Sequence, residues 1–184
     1  MKQTLLGTIL FTVLLQAGNI GLNLNSDDVE VEGTLDISST IGYGSDTAYF
    51  IRGSLLRSGN DNLLKAAFGA SNTLPDAPGL SFSFGIEGVF AKHYVAMPLF
   101  GEASFRLPLD APIPATTLTA QLSYAPSVLS FVDAEQYLEY RFEADMEMLS
   151  HVHLYGGYRT IDTDYQHYDH TFNDSWYGGL RIGF

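Results

Sequence analysis

Apolar and polar residues alternate along most of the chain beyond residue 18. In the clearest segment small or polar residues separate Leu80, Phe82, Phe84, Ile86 and Phe90. Successive side chains on a β-strand point to opposite faces of a sheet. The pattern therefore predicts a strand with one apolar and one polar face, and no segment shows a sustained helical period.

Ten segments share this alternation, and many of them are nine to thirteen residues long. A strand tilted by ~45° needs ~9–11 residues to cross a bilayer, whereas strands of soluble proteins average ~5–6 residues. The sequence thus predicts an all-β fold, a transmembrane antiparallel up-and-down β-barrel of about ten strands, in a range of roughly eight to ten.

The polar connections between these segments fall alternately at two ends of the predicted barrel. They are 44–45, 72–79, 108–116 and 146–150 at one end, and 58–61, 92–93, 126–132 and 162–173 at the other. An even number of strands places both termini on the periplasmic side. The long polar segment 162–173 is then predicted to be an external loop.

Nearly all charged residues in the predicted strands fall on the polar face. An arginine or lysine on the lipid side at mid-bilayer costs ~2–4 kcal/mol, which explains this segregation. Residues of this parity in the N-terminal half of the chain include Glu30, Glu32, Asp36, Arg52 and Lys65. The predicted lumen charge network consists of Glu87, Glu102, Arg106, Glu135, Glu139, Arg141, Glu143, Arg159 and Arg181.

The sequence leaves two states of the lumen open. In a barrel of about ten strands the interior is largely filled by side chains, which favours a filled or very narrow lumen. The alternative is a conducting pore for small solutes or ions, and the excess of acidic residues would make it cation-preferring. The expected function is a small outer-membrane barrel of a Gram-negative bacterium, either structural or narrow and porin-like.

The first eighteen residues have the layout of a secretory signal peptide. Lys2 is followed by an almost wholly apolar run at 5–15 and then by Gln16-Ala17-Gly18. A run of about eleven residues is too short for a membrane helix, which needs ~20. We expect cleavage at or shortly after Ala17, which leaves 19–184 as a single barrel domain. An uncleaved buried helix is the alternative.

Composition argues against several classes of function. The chain has 21 Asp and Glu residues against 9 Lys and Arg, so it lacks the basic surface that nucleic acid binding requires. It contains no cysteine, which argues against a lipoprotein anchor, disulfides, thiolate catalysis and cysteine metal ligands. We expect neither a cofactor nor a bound metal.

The chain ends in Phe184, on an amphipathic segment that also carries Tyr177, Leu180 and Ile182. A C-terminal aromatic residue on such a strand is similar to the signal that the barrel-assembly machinery recognises in outer-membrane proteins. We therefore expect this machinery, outer-membrane lipid and lipopolysaccharide as partners, and an outer-membrane location.

Three motifs carry a resemblance to a known family. They are YAPSVLSFVDAE at 124–135, YGGYR at 155–159 and YGGLRIGF at 177–184. Through these motifs the chain resembles the YfaZ family of outer-membrane proteins of Gram-negative bacteria. The resemblance implies an exported, porin-like barrel, and it implies no catalytic residues.

The predicted external loop carries candidate ligands. They are Asp164, His167, Asp169 and His170. Imidazole and carboxylate groups bind Zn or Cu, but this spacing matches no metal motif. A solvated aromatic surface loop is favoured, with Ca²⁺ bridging to lipopolysaccharide or a binding role as alternatives.

Three further functions remain as alternatives, namely an outer-membrane enzyme, a surface binding or adhesion barrel, and a soluble exported β-sandwich. Ser127, Ser130 and Asp133 could approach His93 or His167 at the rim, but nothing in the sequence defines a nucleophile–base pair. A sandwich would show the same alternation with its charged face in water. We expect a barrel that is not an enzyme.

A second histidine pair, His151 and His153, shares one face of a predicted strand. Two histidines make half of a metal site. Ordinary lumen or rim histidines are the favoured interpretation.

Overall fold

The computed structural model describes residues 18–41, 47–110, 112–166 and 168–184. Apart from Gly18, the predicted signal peptide lies outside the described residues, and so does His167.

The described chain folds almost entirely into strands. They are β1 (Gly18–Leu24), β2 (Asp28–Asp36), β3 (Ala48–Ser58), β4 (Asp61–Thr73), β5 (Leu80–Ala91), β6 (Tyr94–Ala96), β7 (Leu99–Arg106), β8 (Thr116–Ala125), β9 (Ser130–Val132), β10 (Ala134–Leu149), β11 (Val152–Tyr165) and β12 (Thr171–Gly183). A short helix α1 (Ser38–Ile41) follows β2, and a 3₁₀ helix (Ser127–Leu129) precedes β9. No helix within the described ranges is long and apolar enough to span a membrane.

The strands form one closed antiparallel sheet. Its order is β4-β3-β2-β1-β12-β11-β10-β8-β7-β5, and β5 pairs with β4 to complete the ring. In the described part of the chain ten strands therefore make up the barrel wall, while β6 and β9 form an additional pair at one end. The predicted up-and-down barrel of about ten strands is confirmed.

The ring closes between the two terminal strands. Asn19 on β1 aligns with Gly183 on β12, and Leu24 aligns with Gly178. The amide of Gly18 donates to the carbonyl of Phe184 at 3.0 Å, and the amide of Phe184 donates to the carbonyl of Gly18 at 2.9 Å. These pairs satisfy the backbone groups that an open sheet would expose at its edges.

The outward face of the wall is apolar. Large side chains in the middle of the strands, such as Leu22, Leu64 and Phe142, are 45%, 50% and 54% exposed. A water-soluble protein rarely presents so extensive an apolar surface, whereas the hydrocarbon core of a bilayer covers it. β10 and β11 have 16 and 14 residues, which exceeds the ~9–11 needed to cross. These strands therefore project beyond the bilayer.

The two ends of the barrel carry different connections. The terminal end, which holds Gly18 and Phe184, has the connections 74–79, 107–115 and 150–151 and the described parts of the connection between β2 and β3. The opposite, distal end has 25–27, 59–60, 92–93, 126–133 and 166–170. The described connections lie at the ends where the alternation placed them, whereas the predicted connection 44–45 lies outside the described residues.

The last distal connection is much shorter than the predicted loop 162–173. The amides of Thr163 and Tyr165 donate to the carbonyls of His170 and Tyr168 at 2.8 and 2.9 Å, and this pairing extends β11 to Tyr165. Asp164 is consequently a half-buried strand residue, and its assignment to a loop was wrong.

Candidate functional site

Ion pairs cross the middle of the lumen, and Glu30 on β2 is at their centre. Arg141 on β10 donates to Glu30 at 3.0 Å and to Glu32 at 3.1 Å. Arg159 on β11 also donates to Glu30, and both side chains of that pair are fully buried. The amide of Asn23 donates to the same carboxylate at 2.9 Å. Two guanidinium groups thus share one carboxylate, which offsets much of the cost of removing these charges from water.

Further pairs lie nearer the terminal end, around Arg181 on β12. Its guanidinium contacts the carboxylates of Glu32, Glu143 and Asp145 at 2.7, 2.9 and 2.6 Å. It also lies 4.3 Å from the ring centroid of Tyr155, within the range of a cation–π contact. β2, β10, β11 and β12 are thereby tied together through the interior as well as through the wall.

A third set of contacts lies nearer the distal end. The ammonium of Lys65 on β4 is 2.8 Å from Glu139 on β10 and 3.9 Å from Glu87 on β5. The hydroxyl of Tyr137 donates to Glu139 at 2.6 Å. This set bridges opposite walls of the barrel.

Most of the predicted network residues meet in these contacts, but Arg106 and Glu135 do not. Arg106 ends β7 and Glu135 lies at the start of β10, and both are exposed. Neither forms an ion pair with another residue of the described ranges. Assigning them to the network was wrong, because water at the rim solvates charges at the strand ends.

The network also contains residues that the prediction did not assign to it. These are Glu30, Glu32, Arg52, Lys65 and Asp145. Their parity already indicated the inner face. No pattern in the sequence indicates which charges pair with each other, because residues such as Glu30 and Arg159, 129 positions apart, meet only across the lumen.

Beyond the ion pairs, the distal part of the lumen is filled by apolar side chains. We call this cluster the distal plug. It consists of Leu56, Leu63, Val89, Tyr94, Ala96, Ala125, Ala134, Tyr137, Ile161 and Phe172. The charge pairs therefore occupy the middle and terminal parts of the lumen, and its distal part is apolar. Apolar side chains that reach neither water nor lipid gain most by packing on one another.

The free space in the lumen is unequally distributed. Among the ion pairs lies a void of about 20 Å³, bounded by residues that include Ser54, Lys65 and Arg141. One water needs ~10–15 Å³, so this void has room for about one water. Towards the terminal end the lumen widens into cavities of about 180 and 430 Å³, which we call the vestibule.

Arg52 on β3 lies in the floor of the vestibule. It donates to Glu102 on β7 at 3.0 Å and to Gln121 on β8 at 3.1 Å. The vestibule thus opens at the terminal end and ends blindly at paired charges.

A separate pocket of about 380 Å³, the distal pocket, lies on the other side of the distal plug. Of the predicted loop residues, His170 lines this pocket, together with Tyr165 and Tyr168. Asp169 is exposed and is not part of its lining.

The candidate catalytic residues form no nucleophile–base pair within the described ranges. The Ser130 hydroxyl donates to the carbonyl of Pro126 at 3.2 Å. Asp133 meets His93 through the backbone, with the amide nitrogen 3.3 Å from the carbonyl oxygen.

The described histidines do not form a metal-binding site either. His151 lies in the turn between β10 and β11 with φ of 70°, while Nδ1 of His153 is 2.6 Å from Asp145. Among the described residues no three His, Asp or Glu side chains are grouped so as to hold a metal ion.

A closed ten-stranded wall, an apolar outer face and buried charge pairs define this protein as a small membrane-spanning β-barrel of the outer-membrane type. Among solved structures it is similar to a KdgM porin, with a TM-score of 0.51 and 10% identity over 91% of this chain and 99% of that chain. A KdgM porin in complex with disordered oligogalacturonate is similar to the same extent, with a TM-score of 0.52, 10% identity and the same coverage. At this identity the likeness concerns the fold. No family model and no curated protein matches the chain.

Proposed function

We propose that the protein is a closed outer-membrane barrel that does not conduct solutes in the conformation described. The observation that carries the proposal is that the void among the ion pairs measures only about 20 Å³ and that the distal plug fills the lumen beyond them. An ion crossing this level would have to part Lys65 from Glu139. It would then have to separate Tyr94 and Tyr137, whose ring centroids are 6.5 Å apart. The barrel accordingly has a structural or surface-presenting role.

A narrow cation-preferring channel is the second candidate, for a conformation in which the distal plug opens. The lumen carboxylates of the network outnumber its bases. The carboxylates are Glu30, Glu32, Glu87, Glu102, Glu139, Glu143 and Asp145, and the bases are Arg52, Lys65, Arg141, Arg159 and Arg181. An excess of acids favours cations in a pore. An oligogalacturonate, bound by one of the similar porins, carries carboxylates and would be repelled here.

Planar-bilayer recording of the refolded protein tests the closed state. The unmodified barrel is expected to give no discrete conductance steps. The double variant Tyr94→Ala/Tyr137→Ala removes two fully buried rings from the distal plug and is expected to give cation-selective steps. Tyr140→Ala is the matched control, because Tyr140 lies on the same strand as Tyr137 but is 41% exposed on the outer face.

Folding of each variant is checked by heat-modifiable gel mobility. Discrete steps from the folded unmodified barrel and from Tyr140→Ala alike would contradict the closed state. A folded but silent double variant would show instead that the ion pairs, and not the plug, form the barrier.

Four further assignments belong to this proposal. The YfaZ resemblance, whose motifs lie on β8, β10, β11 and β12 and in the connection before β10, supports membership of that family of porin-like proteins. Phe184, paired with Gly18 at the closing strands, is suited to act as the assembly signal. The apolar outer face suits outer-membrane lipid and lipopolysaccharide as partners. Residues 1–18 serve as the cleaved signal peptide of the precursor.

A further inference from the structure

One wall of the distal pocket is aromatic, with two stacked tyrosine rings and a histidine ring nearly perpendicular to both. The rings of Tyr165 and Tyr168 are stacked, with centroids 4.8 Å apart and planes inclined by 10°. The His170 ring stands at 75° to Tyr165 and at 82° to Tyr168. Phe172, which belongs to the distal plug, lies at 77° to His170 and forms part of the pocket lining. The result is an aromatic corner with an apolar base.

Two carboxylates line the pocket as well, together with one lysine, Lys92, and a second histidine, His93. Asp61, at the start of β4, and Asp133, just before β10, line the same pocket and are exposed. Aromatic faces attract cations through the ring quadrupole, and the attraction increases where water is partly excluded. A pocket lined by aromatic rings and by two carboxylates is therefore complementary to a positively charged organic group and not to an anion.

The connections that carry these groups are held in place by hydrogen bonds. The amide of Gln166 donates to the carbonyl of Asp133 at 3.0 Å, and the Tyr165 hydroxyl donates to the carbonyl of Lys92 at 3.4 Å. Nδ1 of His170 lies 3.0 Å from the hydroxyl of Thr163, which orients the imidazole. The pocket is thus preformed, and a ligand would bind with little ordering cost.

The surroundings of the distal pocket have the same sign of charge as its carboxylates. Acidic residues at or near the distal strand ends are Asp27, Asp61, Asp133, Glu135, Asp162, Asp164, Asp169 and Asp174, and the bases there are Arg57 and Lys92. Such an excess raises the local concentration of cations and lowers that of anions.

We infer that the distal pocket is a binding site for a small organic ammonium ion, recognised by the Tyr165–Tyr168–His170 aromatic corner and by Asp61 and Asp133. The inference goes beyond the closed-barrel function and does not depend on it, since the distal plug separates the pocket from the vestibule.

Choline is the probe, and its uncharged carbon isostere 3,3-dimethyl-1-butanol is the matched ligand control. Saturation-transfer NMR on the barrel, folded in a polyoxyethylene detergent, is expected to show choline binding that weakens with added salt, and no binding of the isostere. Tyr168→Ala is expected to weaken choline binding roughly 2- to 30-fold, the range of a cation–π contact. Asp133→Asn is expected to weaken it as well.

Two controls leave the pocket intact. Asp27→Asn removes the same charge at the same end, from a residue that is exposed and absent from the pocket lining, and is expected to change choline affinity little. Trp176→Ala removes an exposed ring from the outer wall and is expected to have no effect.

Lys92→Ala removes a base from the pocket lining and is expected to strengthen binding.

Several results would overturn the inference. They are absence of choline binding to the folded barrel, equal binding of the uncharged isostere, unchanged affinity of the folded Tyr168→Ala variant, and displacement of choline by an equal concentration of methyl glucoside. Weaker choline binding on Lys92→Ala would also count against it, because removal of a positive charge from the pocket lining should favour a cation that is recognised by its charge.

Discussion

Glu30 is enclosed by the barrel wall, and the guanidinium groups of Arg141 and Arg159 compensate its charge. The alternation along β2 predicted that Glu30 points inward. It could not predict which basic residues Glu30 contacts. Those contacts depend on which residues of the other strands lie opposite β2 once the sheet has closed into a barrel. At this scale the sequence therefore determines the face of each residue and leaves its partner open.

Glu30→Gln is expected to destabilise the barrel. The change leaves the buried Arg159 without a compensating carboxylate, and breaking a buried pair on one side costs ~3–5 kcal/mol. The free energy of unfolding in urea, followed by tyrosine and tryptophan fluorescence in lipid vesicles, measures the effect. Glu135→Gln serves as the control, because that carboxylate is exposed at the start of β10 and should leave stability unchanged. Equal stability of both variants would show that Glu30 is not an essential partner.

Strand length and order followed from the period-two pattern, whereas two departures from it did not. β11 and β12 are longer than the polar composition of 162–173 indicated. Backbone pairing between Thr163 and His170 extends the hairpin independently of the polarity of its side chains. On β3 and β4, Leu56 and Leu63 are buried in the distal plug. An apolar residue at an inward-facing position breaks the alternation in the sequence. Its burial is explained only by the neighbours that it contacts across the lumen.

Close packing of two strands depends on Gly85 on β5. A Cβ built there would lie 2.2 Å from the carbonyl oxygen of Phe68 and 2.5 Å from the ring of Phe100. Gly85→Ala is therefore expected to push β4 and β5 apart and to cost ~1–3 kcal/mol, as overpacking does. Gly53→Ala on β3 is the control, because the nearest atom to its Cβ would be 3.8 Å away. Urea midpoints of the two variants compare them, and a midpoint for Gly85→Ala no lower than that of Gly53→Ala would refute the expectation.

The molecule as a whole has unequal ends. A barrel with an even number of strands has both termini on the periplasmic side, which makes the distal end external. The longer connections, 37–47 and 107–115, nevertheless lie at the terminal end, the reverse of the usual distribution of short periplasmic turns and long outer loops. The even strand number thus assigns the distal end to the outside, and the lengths of the connections do not contribute to that assignment.

Labelling in intact cells determines the orientation cleanly, because the chain contains no cysteine of its own. Asp169→Cys, in the last distal connection, is expected to react with a membrane-impermeant maleimide. Asp110→Cys, in the connection between β7 and β8, is expected to react only after the outer membrane is permeabilised. Both positions are exposed, so access decides the outcome. Labelling of Asp110→Cys alone in intact cells would invert the assignment.

Each long strand pairs with its nearest long neighbours along the chain, except where β1 meets β12. The successive hairpins need only short loops to close, whereas the pairing of β1 with β12 brings together segments that begin and end the described chain. Loop-closure entropy grows with the logarithm of the intervening length, so this seam is the costliest contact to form first. Folding should therefore proceed through a curved, open sheet in which the hairpins already have their final strand register. The exposed edges of β1 and β12 in that intermediate would be the places where a catalyst of membrane insertion could accelerate closure.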